Sequence, residues 1–139
     1  MEGLQLSTEQ RADSVIVTVR GDLDIVTSGQ FDDCLTQARR ASSRIILDLA
    51  AVDFLDTSCL AVIVGHWKKL AAAGGVLALA GARYRYTKAL WITGLADRLP
   101  SYETVEQAIS AGPPRSAALA GERGVDAVGD SPADGALPR

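Results

Sequence analysis

Residues 44–75 decide the fold, and they read RIILDLAAVDFLDTSCLAVIVGHWKKLAAAGG. The apolar run Ile45–Leu47 is continuous rather than alternating, which is typical of a strand buried on both faces by helices. In the second half of the stretch, apolar residues recur at helical spacing until Gly74-Gly75, where a C-terminal helix cap is expected. We therefore predict a central strand over Arg44–Leu49 and a helix over Ser58–Ala73.

The segment before this stretch predicts a β-hairpin followed by a helix. Strands are expected over Leu4–Gln10 and Val15–Arg20, with Asp13-Ser14 as the turn signal between them. Thr27 is placed to cap a helix over Ser28–Arg40, in which apolar residues again have helical spacing. The chain thus opens with two strands and a first helix.

The segment after the stretch continues the alternation of strands and helices. A strand is expected over Val76–Ala80, a helix over Tyr84–Thr93 closed by Gly94, an edge strand over Leu99–Tyr102 and a last short helix over Val105–Ser110. This order predicts an α/β fold, with a mixed sheet of four to five strands and about four packed helices.

Composition divides the chain into a domain and a tail. The 139 residues, 47% of them hydrophobic, suffice for one globular core. Residues 111–139 contain four of the five prolines, five glycines and no aromatic residue. We expect residues 1–110 to form the domain and residues 111–139 to be a disordered tail that is dispensable for folding.

Charge and hydropathy exclude several classes of partner. The formal net charge of −3 argues against direct nucleic-acid binding, which usually requires a basic excess. No stretch approaches the roughly 20 apolar residues of a membrane span, and Glu2 stands where a signal peptide would be positively charged. A soluble, cytoplasmic protein without membrane insertion is expected.

The residues needed for metal binding or catalysis are sparse. Cys34 and Cys59 are outside any zinc-binding pattern and are expected to be small buried thiols. His66, the only histidine, follows Ser58 by eight residues on the same predicted helix. This separation is about 12 Å along the axis, too far for a nucleophile and its base. We predict His66 on the helix surface, no catalytic residue, no metal and no cofactor.

Aspartates gather at predicted strand ends and in the loops that follow them. Carboxylates in such positions can bind a metal or accept a phosphoryl group, but they also suit turns and helix caps. The residues alone leave both interpretations open. These aspartates are Asp22, Asp24, Asp48, Asp53 and Asp56.

Asp56-Thr57-Ser58 precedes the predicted second helix. Free N–H groups and the positive end of the helix dipole lie at this point, so a phosphate on Ser58 would be tolerated electrostatically. On the residues alone, a plain Ser/Thr/Asp helix cap is the favoured explanation of the same three residues.

Several linked segments resemble the STAS domain family, which includes the anti-sigma factor antagonists. The resemblance spans about Leu4–Ser110 and is carried by the order of the segments as well as by their composition. These segments are Gly21-Asp22-Leu23-Asp24, Ile45-Ile46-Leu47-Asp48-Leu49, Val52-Asp53-Phe54-Leu55-Asp56-Thr57-Ser58, Gly74-Gly75 and Thr93-Gly94-Leu95.

The resemblance implies partner switching without an enzymatic activity of the chain itself. An anti-sigma factor with serine kinase activity would phosphorylate Ser58, or its neighbour Thr57, and a serine phosphatase would reverse the reaction. The unphosphorylated form would bind the anti-sigma factor and thereby free a sigma factor. The implied partner-binding residues are Asp22, Asp24, Asp56, Thr57, Ser58 and Cys59.

One departure and two alternatives accompany this interpretation. The family usually has glycine where this chain has Cys59, whose side chain could restrict the approach of a kinase. A non-phosphorylated scaffold in a stressosome-like or membrane-transport assembly would use the same fold. An aspartyl-phosphate receiver with Asp53 or Asp56 as acceptor ranks third, because the chain opens with a hairpin and its only late lysine, Lys88, is in a predicted helix.

Overall fold

A computed structural model describes residues 4–111 and contains one five-stranded sheet in the order β1-β2-β3-β4-β5. Strands β1 and β2 are antiparallel, and all other neighbours are parallel. The strands are β1 (Gln5–Arg11), β2 (Ser14–Leu23), β3 (Arg44–Leu55), β4 (Val76–Ala80) and β5 (Ser101–Tyr102). The expected mixed sheet, its opening hairpin and its central strand are confirmed.

Within residues 4–111, five helices connect or follow the strands, where about four were expected. They are α1 (Ser28–Ala41), α2 (Thr57–Ala72), α3 (Lys88–Ile92), α4 (Leu95–Arg98) and α5 (Val105–Ala111). None of the helices among residues 4–111 is both long and apolar enough to cross a membrane. The expected tail lies outside the described residues from residue 112 onward.

The sheet buries a different hydrophobic cluster on each face. Alternate residues of β3 illustrate this, because Ile45 and Leu47 belong to the large cluster with α1 and α2, whereas Ile46 packs in the small cluster with α5. Strand side chains alternate between faces with a period of two. The continuous apolar run in β3 is therefore explained by helices on both faces, as predicted.

Helix α2 ends at the glycine pair. Gly74 has a left-handed backbone, with φ of 79°. Its N–H donates to the carbonyl of Ala71 at 3.1 Å, and the N–H of Gly75 donates to that of Leu70 at 2.7 Å. This pair of hydrogen bonds is the Schellman arrangement, so the predicted cap is confirmed.

Strand β3 is six residues longer at its C-terminal end than predicted. After Leu49 it continues to Leu55, because the end of β2 pairs with it across an irregular register that places Gly21 opposite Val52 and Leu23 opposite Leu55. The expectation that the aspartates lie at strand ends or in the following loops was therefore wrong for Asp48 and Asp53, which lie within β3. It was correct for Asp22, the penultimate residue of β2.

The predicted helix over Tyr84–Thr93 was also wrong in extent. Residues 84–86 form a turn, and α3 begins only after Thr87, whose hydroxyl donates to the carbonyl of Arg83 at 2.6 Å. Tyr84 is 54% exposed, whereas Leu90 is fully buried. The side chains that pack against the core therefore begin later in this segment than the predicted helix did. Gly94, with φ of 81°, then separates α3 from α4.

His66 is buried between α1 and α2, which contradicts the prediction of a surface position. Only 3% of the residue is exposed. Its Nδ1 accepts a hydrogen bond from Nε of Arg39 at 2.8 Å, and its Nε2 lies 2.6 Å from Oδ1 of Asp32. An arginine can only donate, so Nδ1 is unprotonated and Nε2 carries the proton toward Asp32. Both partners come from α1, and the sequence spacing of α2 alone could not show them.

Candidate functional site

Asp56, rather than Ser58, caps helix α2. Its backbone is extended, with φ of −108° and ψ of 177°, and its Oδ1 accepts a hydrogen bond from the backbone N–H of Ser58 at 2.9 Å. The same oxygen also accepts a hydrogen bond from the Ser58 hydroxyl. Ser58 is thus the second helical residue, and the cap interpretation applies to Asp56 instead.

The first turn of α2 separates into an exposed and a buried side. Thr57 is exposed and Ser58 is half-buried, whereas Cys59 is fully buried in the large hydrophobic cluster. The Cys59 Sγ lies 3.6 Å from the carbonyl oxygen of Asp24. Its side chain therefore lies beneath the surface and does not cover Ser58, so the expected obstruction of a kinase is absent from this turn.

The electrostatics of the Cys59 thiol reflect the same arrangement. Its pKa is raised from 9.0 to about 11, chiefly by burial; the polar Ser58 side chain opposes this rise, and the carboxylates of Asp56 and Asp24 add to it. The thiol is accordingly protonated at neutral pH and is a poor nucleophile. Cys34, which is half-buried rather than buried as expected, also has a pKa raised by burial.

The loop between β2 and α1 is held by Asp24 and Thr27. Oδ1 of Asp24 accepts hydrogen bonds from the backbone N–H groups of Val26 and Thr27, each at 3.0 Å. The Thr27 hydroxyl donates to the carbonyl of Asp22 at 2.9 Å. Thr27 occupies the predicted cap position of α1 but makes no side-chain bond to that helix. Its hydroxyl instead fixes the preceding loop.

Strand pairing brings this loop beside the start of α2. The backbone N–H of Asp56 donates to the carbonyl of Leu23 at 3.0 Å, and Asp22 pairs in register with Phe54. The structure therefore places the six residues that the resemblance implied for partner binding close together, but Cys59 among them is fully buried and has no surface to contact a partner. The six are Asp22, Asp24, Asp56, Thr57, Ser58 and Cys59.

The other two aspartates do not join this group. Asp48 lies in the middle of β3 and lines a depression near Val105 of α5, while Asp53 is an exposed residue within β3. Across residues 4–111, no three His, Cys, Asp or Glu side chains cluster closely enough to hold a metal ion.

Two exposed apolar residues of the site were missed from the sequence. Ile25 and Val26 are 71% and 86% exposed in the loop that contacts the start of α2, and Phe54, opposite Asp22, is 51% exposed. A signal was present, since Ile25 and Val26 directly follow a turn-forming aspartate and precede the apolar periodicity of α1. We call Asp22, Asp24, Ile25, Val26, Asp56, Thr57 and Ser58 the Ser58 surface.

Exposed apolar side chains beside carboxylates and hydroxyls are suited to reversible protein docking. Large apolar groups that a monomer leaves in water commonly mark a protein interface. A half-buried serine at a helix N-terminus is also a position where an added phosphate meets the positive end of the helix dipole. The Ser58 surface combines these two properties.

Comparison with known proteins agrees with this fold and arrangement. Residues 5–108 match the sequence model of the STAS domain. The chain belongs to the STAS domain family. An anti-sigma F factor antagonist from Paenibacillus polymyxa is 31% identical to this STAS protein over 111 residues, which cover 77% of this chain and 93% of the relative.

Solved structures show the same STAS fold. An anti-sigma factor antagonist from Mycobacterium paratuberculosis has a TM-score of 0.69 and 23% identity, and the match covers 78% of this chain and 93% of that one. SpoIIAA of Bacillus, solved in its phosphorylated form, has a TM-score of 0.62 and 22% identity, with coverage of 77% and 98%.

Proposed function

We propose that this STAS protein is an anti-sigma factor antagonist that binds an anti-sigma factor through the Ser58 surface. Phosphorylation of Ser58 switches this binding off. The observation that carries the proposal is the half-buried Ser58 hydroxyl at the start of α2, directly beside a loop that exposes Ile25 and Val26. The name of the Paenibacillus polymyxa relative supports the class of partner.

The switch follows from the surroundings of Ser58. A partner that buries Ile25 and Val26 gains hydrophobic stabilisation and must at the same time exclude water from the nearby hydroxyl. A phosphate there brings a charge of about −1.5 to −2, whose desolvation opposes the same contact. The hydration of the group on Ser58, a hydroxyl or a phosphate, thus decides whether the partner can bury Ile25 and Val26.

The chemistry of Ser58 requires partner enzymes. The proposed anti-sigma factor acts as a serine kinase on Ser58, and a serine phosphatase restores the hydroxyl. Thr57, the more exposed neighbour, is the alternative acceptor. Ser58 is favoured because its hydroxyl is held by Asp56 in one direction, which presents an ordered group to a kinase.

Incubation with each anti-sigma factor kinase of the source genome and ATP, followed by mapping of the phosphorylated residue, tests the proposal. We expect one phosphate on Ser58, and loss of the stable complex once it is added. Labelling of Thr57 would contradict the residue assignment. Stable binding without phosphorylation, indifferent to Ser58→Ala and Ser58→Asp, would support the scaffold function instead.

A further inference from the structure

A groove runs along α2 toward α4, and its first lining residue, Leu60, follows Ser58 by two residues. Its volume is about 850 Å³. Its walls are formed mainly by apolar side chains, namely Leu60, Val64, Trp67 and Leu95. The lining on α2 extends from Leu60 to Ala71, which corresponds to about 16 Å, or three helical turns. The shape is therefore that of an open channel parallel to a helix.

The charge of the groove is one-sided. Lys68 and Arg98 are exposed and line it, and no carboxylate is among its lining residues. The Arg98 guanidinium lies 5.5 Å from the ring centroid of Trp67, so it is positioned over the apolar wall. In a chain of net charge −3, this channel offers positive charge to whatever binds there.

Gly65 lines the groove without a side chain, which leaves the groove deep at this position. It lies within α2, its backbone φ is not in the left-handed region, and a Cβ placed on it would meet no atom within 4 Å apart from its own stretch of helix. Glycine within a helix is destabilising relative to alanine, so neither conformation nor packing within residues 4–111 accounts for it. Ala61, one turn earlier, is also small and lines the groove.

We propose that this α2–α4 groove docks an amphipathic helix of a partner protein whose apolar stripe is flanked by carboxylates. Apolar walls fit the stripe, and Lys68 and Arg98 complement the carboxylates. The small residues Ala61 and Gly65 allow the helix axes to approach closely, since interaxial distance depends on the side chains at the contact. Helix docking in an apolar groove is a common mode of recognition.

This docking site is separate from the Ser58 surface, and none of the residues of the Ser58 surface lines it. A partner helix in the groove therefore makes its contacts with residues outside the Ser58 surface. The proposal goes beyond the proposed function, and it can be tested without an anti-sigma factor.

Two synthetic peptides of about 18 residues, long enough for five helical turns, provide the test. Both carry leucines at helical spacing, and they differ only in having glutamate or lysine on the flanks. Binding to the full chain is followed by NMR shifts of α2 and α4 amides and of the Trp67 indole. We expect saturable binding of the glutamate peptide, with the lysine peptide weaker by about tenfold or more.

Three variants make the result specific. Gly65→Leu places a side chain in the open space of the groove, so the variant should fold. Its affinity for the glutamate peptide should be lower by about tenfold or more. The double variant Lys68→Glu, Arg98→Glu should reverse the preference between the two peptides. Ser58→Asp should still bind the glutamate peptide, with a smaller loss of affinity than Gly65→Leu, because Ser58 does not line the groove. Circular dichroism of each variant verifies folding.

Several outcomes would overturn the proposal. Equal affinity for both peptides, or undiminished binding by Gly65→Leu, would remove the groove as the site. A dimer that Gly65→Leu dissolves in sedimentation would assign the groove to a second copy of the chain. If decanoate shifted the same resonances and neither peptide did, the groove would be a binding site for a small anion. Peptide binding only after removal of residues 112–139 would assign it to the chain's own C-terminal segment.

Discussion

Oδ1 of Asp56 accepts hydrogen bonds from both the backbone N–H and the hydroxyl of Ser58. The cap of helix α2 and the proposed phosphorylation site therefore share one oxygen atom. A phosphate on Ser58 would remove the donated hydroxyl hydrogen and place a second anion beside the Asp56 carboxylate. Phosphorylation is thus coupled to the local stability of the start of α2.

The shared oxygen predicts an order of stabilities among three variants. Asp56→Ala loses both hydrogen bonds and should lower the free energy of unfolding by about 1 kcal/mol. Ser58→Ala keeps the bond from its backbone N–H and should cost less. Asp56→Asn retains a good capping group and should differ from the wild type by only a few tenths of a kcal/mol. Urea denaturation measures all three, and a larger loss for Ser58→Ala than for Asp56→Ala would contradict the assignment of the cap.

The buried His66 predicts a large cost for its removal. His66→Ala would leave Nε of Arg39 without its acceptor and open a space between α1 and α2. We expect the free energy of unfolding to fall by about 2 kcal/mol. Lys69→Ala, on an exposed position of the same helix, is the matched control and should change stability by less than about 0.5 kcal/mol. Equal effects of the two substitutions would mean that the α1–α2 contact does not depend on His66.

The raised pKa of Cys59 predicts a loss of stability at alkaline pH. The thiol ionises near pH 9 when the chain is unfolded and near pH 11 when it is folded, so the folded state holds this proton more tightly between those values. Stability should therefore fall as pH rises from about 9 to 11, by about 2 to 3 kcal/mol from this group. Cys59→Ala removes that contribution, so its unfolding free energy should depend less steeply on pH. Identical slopes for both proteins would show that Cys59 is not the group responsible.

The fold was predictable where local pattern and tertiary contact agree. The continuous apolar run Ile45–Leu47 and the pair Gly74-Gly75 each specify their own structure, so the central strand and the end of α2 were placed well. The extension of β3 to Leu55 depends on pairing with the end of β2, which no local pattern in β3 reveals. His66 was misplaced for the same kind of reason, because its partners lie on α1.

The candidate site was predictable only in part. The motif around Ser58 and the aspartates Asp22 and Asp24 pointed to two segments that the fold places side by side. The roles of the individual residues depend on local hydrogen bonds that the motif does not reveal, since Asp24 holds its own loop and Asp56 forms the cap. The inward position of Cys59 also depends on its place on the helix relative to the core.

The exposed apolar pair predicts a partner contact. Ile25→Ser and Val26→Ser each remove apolar area from the Ser58 surface and should weaken binding of the anti-sigma factor by about tenfold, because burial of such a side chain is worth about 1.5 kcal/mol or more. Stability should be nearly unchanged, since both side chains are already in water. Ile92→Ser, at a 73% exposed position on α3, is the control. Calorimetric affinities equal to those of the control would exclude the pair from the interface.

The acidic part of the Ser58 surface predicts a second effect on binding. Asp22→Lys reverses an exposed charge next to Phe54 and should reduce affinity for the anti-sigma factor. Asp24→Asn keeps an oxygen that can accept the loop hydrogen bonds, so it separates the charge from the loop structure. Undiminished affinity in both variants, measured together with their thermal stability, would count against an acidic contact.

The most direct test of partner switching compares the affinity of one anti-sigma factor for three preparations of the chain. These are the unmodified protein, the protein phosphorylated by that factor to one phosphate per chain, and Ser58→Ala taken through the same kinase reaction. The account predicts tight binding of the first and third and a loss of about a hundredfold or more for the second, with the phosphate mapped to Ser58. Equal affinity of the first two, or phosphorylation of Ser58→Ala to the same extent as the wild type, would contradict it.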